Sequence, residues 1–240
     1  MHILTLKNSY AIIVNHGIRF ISSTSAGCEN PDACGDASRT LQELLVRAQA
    51  HESAANAPND ADKWERSQSE SLVHWAQEKG LILDHGQFES RIADLKRLEG
   101  GYEHRVFSWA EAGRVIKVTK PPHFGLNWDL SIYVQNVINC NLLFGDDMRI
   151  EGIIETPDGA ALVMSQEFIP GKSPTYQQIA KWFGGQGYTQ HSQHLWIHPD
   201  GRKVNDAHPR NFIVDRNHQM FPIDLHVESL GTWISQEGET

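Results

Sequence analysis

Positive charge, cysteine and long apolar runs are what this chain has least of. Against 30 Asp and Glu stand 21 Lys and Arg, a formal net charge of −9. No cation excess is present to attract nucleic acid or an anionic membrane surface, so a phosphate site has to be built locally. No apolar run approaches the roughly 18 residues that cross a bilayer. Residues 1–20 mix polar residues into each short apolar stretch, unlike a signal peptide, so a soluble, cytoplasmic chain is expected. The three cysteines, Cys28, Cys34 and Cys140, fit neither a disulfide framework nor paired zinc ligands, and read as reduced structural thiols. His191, His194 and His198 lie close together, yet no carboxylate or cysteine completes a zinc set with them.

What is there suffices for one core, or one core with a small appended module: 240 residues at 40% hydrophobic content. Short β-rich runs between Ile3 and Ser22 predict a hairpin or meander. After a Gly/Ser/Asp/Asn/Pro-rich stretch, Leu41, Leu44, Leu45 and Ala48 recur at helical spacing and predict a helix over 39–51. A second helix is expected over 61–79, stopped by Gly80. From about Asp94 short strands alternate with glycine turns. His104–Trp109 and Arg114–Thr119 read as a hairpin, 129–143 as a helix, and Met148–Glu155 with Ala160–Ile169 as two further strands. Beyond Pro170-Gly171 a helix is expected to start with Ser173 as cap and Pro174 at its first position, ending by Gly184-Gly185. Trp182, Phe183, Tyr188 and Trp196 are assigned to a small core rather than to stacking on bases.

Four segments carry chemistry, in an order that suits phosphoryl transfer, which needs a held triphosphate, neutralised charge and an aimed acceptor. Gly100 and Gly101 lie between candidate strands, where backbone N–H groups can approach phosphate oxygens. Lys117 sits in the apolar strand Val115-Ile116-Lys117-Val118, where a kinase places its phosphate-holding lysine. Asp206 and Asn211 stand five positions apart (211 − 206), the spacing of a kinase catalytic loop. Asp206 would orient or deprotonate an acceptor hydroxyl, and the Asn211 amide oxygen is a hard ligand for Mg²⁺. Asp224 ends a second short strand thirteen positions later (224 − 211), placed to bridge Mg²⁺ to phosphates. Glu167 and Ile169, where the strand Ala160–Ile169 runs into Phe168-Ile169-Pro170-Gly171, occupy the positions from which a hinge backbone pairs with adenine.

Asp206-Ala207-His208-Pro209-Arg210-Asn211 with Pro222-Ile223-Asp224 resembles the matching pair of the aminoglycoside and choline kinases. The wider pattern is similar to a kinase-like domain of the polyvalent proteins of bacterial phages and conjugative elements. It comprises Glu99-Gly100-Gly101-x-Glu103-His104-Arg105-Val106, Val115-Ile116-Lys117, Pro121-Pro122-x-Phe124-Gly125, Asn141-x-Leu143-Phe144-Gly145-Asp146-Asp147, Pro170-Gly171 and His198-Pro199-Asp200-Gly201. The resemblance implies an α+β, compact two-lobed protein-kinase-like fold over 91–240, with 1–90 as a β and helical extension. It also implies an ATP- and Mg²⁺-dependent phosphotransferase acting on an unspecified protein or small molecule. Three departures bear on activity. The helix 129–143 has no Glu to partner Lys117, leaving Gln135 or Asp129 as stand-ins; Val204 replaces the usual catalytic-loop histidine; and only sixteen residues follow Asp224 (240 − 224), predicting a minimal C-terminal lobe. A non-catalytic nucleotide- or partner-binding module is therefore the alternative, and nucleotidyl transfer a third possibility.

Overall fold

The computed structural model describes residues 5–6, 9–14, 17–22, 31–54, 61–98, 103–125 and 128–228. Contacts divide the chain into two units, Met1–Arg39 and Thr40–Thr240. In the first, β1 (Thr5–Leu6), β2 (Ser9–Val14) and β3 (Gly17–Ser22) form an antiparallel meander, as the short β-rich runs predict. Helix α1 (Pro31–Ala54) starts earlier than its apolar spacing predicts. Proline is well tolerated at a first helical position, so composition alone hides this start.

Helix α2 (Ala61–Lys79) ends where expected, at Gly80 with φ 67°. The following α3 (His85–Ala93) escapes the sequence reading because Gly86 in its first turn lowers helix propensity. It is nucleated by Asp84, whose carboxylate accepts from the Gln87 N–H at 2.7 Å. Then come β4 (Lys96–Leu98), β5 (His104–Trp109) and β6 (Arg114–Thr119), helix α4 (Leu130–Phe144), β7 (Arg149–Thr156) and β8 (Gly159–Glu167). The five strands make one antiparallel sheet in the order β4-β5-β6-β8-β7. At its β7 edge the Leu81–Leu83 connection bonds to Ile153, and Gly152 permits the approach, since a Cβ there would stand 2.6 Å from Leu83 Cγ.

The sheet is covered on both faces, and its alternation assigns each residue to one of them. Ile153, Leu162 and Met164 pack with Leu41, Leu44, Leu72, Trp75 and α4's Val134. Ile154, Ala161, Val163, Ile116 and Val118 pack with Phe88 and Ile92 of α3. The C-terminal portion has its own core. Helix α5 (Tyr176–Gly185) sets Ile179 and Phe183 against Tyr188, Trp196, Val204, Phe212, Leu225 and Val227, with Phe183 and Trp196 stacked at 4.8 Å. The cap of α5 is Thr175, not Ser173: Gln178 completes a reciprocal capping box with it, which outweighs the Ser-Pro signal upstream. Around this core lie β9 (Thr189–Gln190), β10 (Trp196–Ile197), β11 (Lys203–Asn205), the hairpin β12 (Phe212–Val214) and β13 (Met220–Pro222), and β14 (His226–Glu228).

Two joints connect the sheet to this portion. After β8 the chain passes Gly171, where a Cβ would lie 2.4 Å from the Val214 carbonyl, and Lys172 pairs with Val214 through both backbone bonds. Along α4, Asn136 donates to Leu225 O at 3.0 Å and accepts from Val227 N at 2.7 Å, while the buried Cys140 thiol donates to Leu225 O at 3.2 Å.

Candidate active site

Lys117 lies on β6, an interior strand between β5 and β8, so its side chain leaves the sheet through a buried face and only 7% of the residue is exposed. Its Nζ donates to the Ile223 carbonyl at 2.8 Å and stands 3.8 Å from Asp224 Oδ1. An edge lysine pointing to water would make neither contact. The sheet therefore presents one cation to the turn that carries Asp224.

The segment from Asp206 to Asn211 is a tight loop. Asp206 adopts φ 56°, and its carbonyl accepts from the His208 N–H at 2.7 Å. His208 Nδ1 accepts from the Arg210 N–H at 3.2 Å, capping the turn Pro209–Asn211. The buried Asn211 spends its amide nitrogen on Asp206, donating to the main-chain O at 2.9 Å and to Oδ2 at 2.6 Å. That leaves Asn211 Oδ1 without a hydrogen bond among the described residues. Strands β12 and β13 pair Phe212 with Pro222, so the hairpin closes with Ile223 N–H donating to Asn211 O at 2.9 Å. The spacing between Asn211 and Asp224 is the length of that hairpin. The main chain of Ile223 thus ties Asn211 to Lys117, one bond through its N–H and one through its carbonyl.

Asp224 opens onto a cleft, with 48% of its side chain accessible although walls surround it. Burial raises its pKa, but Lys117 foremost, then His104, His226 and Arg210, outweigh this and hold the carboxyl below its ordinary value. Glu103 faces the same space: burial raises its pKa, Asp224 and Asp206 add to the effect, and His226, with Nε2 3.9 Å from Glu103 Oε1, opposes it. His104 bonds Tyr133 Oη at 2.7 Å, and burial pushes its pKa down to about 4, leaving a neutral imidazole beneath the cation cluster.

Lys117, Asp224, Asn211 and Asp206 therefore converge, linked through Ile223. Gly100 and Gly101 lie outside the described residues. Glu167 is the last paired residue of β8, opposite Arg114, and the Phe168 N–H goes to Gly113 O. Ile169 is the first residue with both main-chain polar groups free of intramolecular bonds among the described residues. Neither stand-in for the missing helix acid reaches Lys117: Asp129 caps α4 and bonds Ser131, while Gln135 donates to Asn139 at 2.9 Å. Val204 is wholly buried in the aromatic core. Glu103, His226, Arg210 and Asp146 were not singled out. Glu103 and Asp146 each follow a glycine closely in the sequence, Asp146 directly after Gly145 and Glu103 two positions after Gly101, which was the available signal.

The donor set suits a divalent cation at a phosphate. Asn211 Oδ1 and the ionised Asp224 are hard oxygens, and Lys117 adds positive charge beside them. Among the described residues no group of three or more His, Cys, Asp or Glu could hold a metal unaided. Two protein oxygens completed by phosphate and water are, however, a common Mg²⁺ arrangement. No helix among the described residues is long and apolar enough to cross a membrane.

No curated protein matches the chain. A family model described as "Serine/Threonine/Tyrosine Kinase found in polyvalent proteins" matches residues 65–228. The match runs from α2 to the end of β14 and so contains the sheet, the lysine, the loop and the aspartate turn. Together with the antiparallel sheet, its helix and the Lys117–Ile223–Asn211 connection, this makes the chain a member of the kinase family of polyvalent proteins.

Proposed function

We propose that the protein is an ATP- and Mg²⁺-dependent phosphotransferase of the cytoplasm, acting on a protein or small-molecule hydroxyl. The observation that carries this reading is the junction at Ile223, whose main-chain N–H and carbonyl connect the catalytic-loop asparagine and the strand lysine, with Asp224 next in sequence. Lys117 would bind the α and β phosphates, with Gly100 and Gly101 over them and the Glu167 and Ile169 backbone on adenine. Asn211 and Asp224 would hold Mg²⁺, which when bound neutralises phosphate charge. Asp206, oriented by the Asn211 amide, would accept the proton of the acceptor hydroxyl.

Purified protein incubated with [γ-³²P]ATP, Mg²⁺ and host extract is expected to label itself or a host component. Asp224→Ala and Asp206→Asn should each reduce labelling at least about a hundredfold, the usual scale of a lost acid–base or charge-stabilising group. Equal labelling by wild type and Asp224→Ala would sink the proposal. Mg²⁺-dependent ATP binding without transfer would identify a binding module instead, the reading favoured by the lack of any α4 acid near Lys117. Label from [α-³²P]ATP rather than the γ position would identify nucleotidyl transfer.

A further inference from the structure

No side chain of α4 gives Lys117 an anionic partner. Asp129 caps the helix, Gln135 is bonded to Asn139, and Asn136, Asn139 and Cys140 are bonded to the Leu225–Val227 backbone. The loop that follows the helix supplies an acid instead. Asp146 is 8% exposed and lines the same cleft as Tyr133, Ile223 and Asp224. Lys117 and Asp224 are the charges that act on it. Its carboxylate accepts no hydrogen bond among the described residues and opens onto the cleft.

The surrounding loop is built to keep it there. Asn141 clamps both ends of the turn, accepting from Met148 N and donating to Met148 O, each at 2.9 Å. Gly145 terminates α4 at φ 71°, and Asp147 takes φ 50°. The Asp147 carboxylate is gripped by Arg114 at 2.7 Å and by Arg149 at 2.9 Å, and Arg114 also holds the Asp147 carbonyl at 2.8 Å. Asp147 and Asn141 thus do the anchoring, and the residue between them with no anchor is the one turned into the cleft.

We propose that Asp146 is the positioning residue for Lys117, supplying from the α4–β7 loop the negative charge that the helix lacks. This rests on the nucleotide-site reading above. Lys117 leans on Ile223 O and Asp224 in the structure. Once Asp224 engages Mg²⁺, Asp146 and Glu103, on both of which Lys117 acts, are the anions left in the cleft, and Asp146 is the more deeply buried of the two. Burial pushes the Asp146 carboxyl up to about 7, with Lys117 pulling it back down, so its charge is kept at a cost to stability.

That cost makes the role testable, because function and stability should move in opposite directions. The measurements are Mg²⁺-ATP affinity by titration with a fluorescent ATP analogue, and Tm, for wild type, Asp146→Asn, Lys117→Met and the double variant. Asp146→Asn is expected to weaken Mg²⁺-ATP binding about tenfold, within the range for interacting neighbours, while Tm rises. In the Lys117→Met background the same change should leave affinity unaltered. Unchanged or tighter binding by Asp146→Asn overturns the proposal, as does equal weakening with and without Lys117, or a fall in Tm that accompanies the weakening. Absence of ATP binding by wild type is a different failure, since it removes the nucleotide-site reading itself.

Discussion

Acidification should destabilise the protein through one histidine, and the size of the effect follows from its burial. His104 is 4% exposed, bonded to Tyr133 and held to a pKa of about 4 against an ordinary 6.5. Below 6.5 the unfolded chain takes up a proton that the folded chain refuses until about 4. The stabilising contribution is therefore complete above 6.5 and is lost as pH falls through about 4. At about 1.4 kcal/mol per pH unit, the gap amounts to about 3 kcal/mol. His104→Gln keeps a partner for the Tyr133 hydroxyl and removes the titration. Urea unfolding of both proteins from about pH 8 to about pH 4 should show the difference between them, wild type minus variant, shrinking by about 3 kcal/mol. Asp146 gives the mirror case. Its pKa is raised from 3.8 to about 7, so its contribution is present below 3.8 and lost as pH rises through about 7. Wild type minus Asp146→Asn should thus fall by about 4 kcal/mol over that rise. Comparing each variant with wild type cancels the titrating groups on which the replaced side chain does not act. Parallel curves for wild type and His104→Gln would refute the reasoning, because they would mean that the imidazole is not held neutral by burial.

Other perturbations follow from single contacts. Gly171→Ala puts a Cβ 2.4 Å from the Val214 carbonyl and should cost about 2–4 kcal/mol, read as a lower Tm; an unchanged Tm would show that the strap can shift. Arg114→Met removes the grip on Asp147 and a 2.8 Å bond to Ser165. Breaking a buried pair costs about 3–5 kcal/mol, and partial exposure reduces the expectation here to about 2 kcal/mol by denaturant unfolding. Gln166 is 2% exposed and its amide nitrogen has no partner among the described residues. Gln166→Met should therefore stabilise by about 1 kcal/mol, and a loss would point to an unseen acceptor.

Much of this was legible before folding because the local signals are strong. The β-rich apolar run of Arg114–Thr119, the apolar face of 129–143 and the turn at Gly159 each dictate one element with little help from tertiary structure. The Asp206, Asn211 and Asp224 spacing was legible because a short hairpin fixes it. What could not be read depends on contacts distant in sequence. Asp146 becomes distinctive only when Asn141 and Arg114 bend its loop inward. Arg114 lies 33 positions from Asp147, beyond any local pattern. Ser173 followed by Pro174 was the cap expected from sequence, and the Gln178 side chain moves it to Thr175.

The bonds from Asn136 to the Leu225–Val227 backbone have a mechanical meaning. A carboxamide carries the same donor and acceptor as a peptide unit, so Asn136, donating at 3.0 Å and accepting at 2.7 Å, imitates a residue of a neighbouring strand. β14 has β11 on one side; on the other its approach is paired with side chains of a helix, which closes an edge that another chain could otherwise extend. It also couples α4 to the residues directly after Asp224. The helix cannot swing away from the sheet without giving up those bonds or carrying the aspartate turn with it. Any change of state in this kinase would move helix and aspartate as one body.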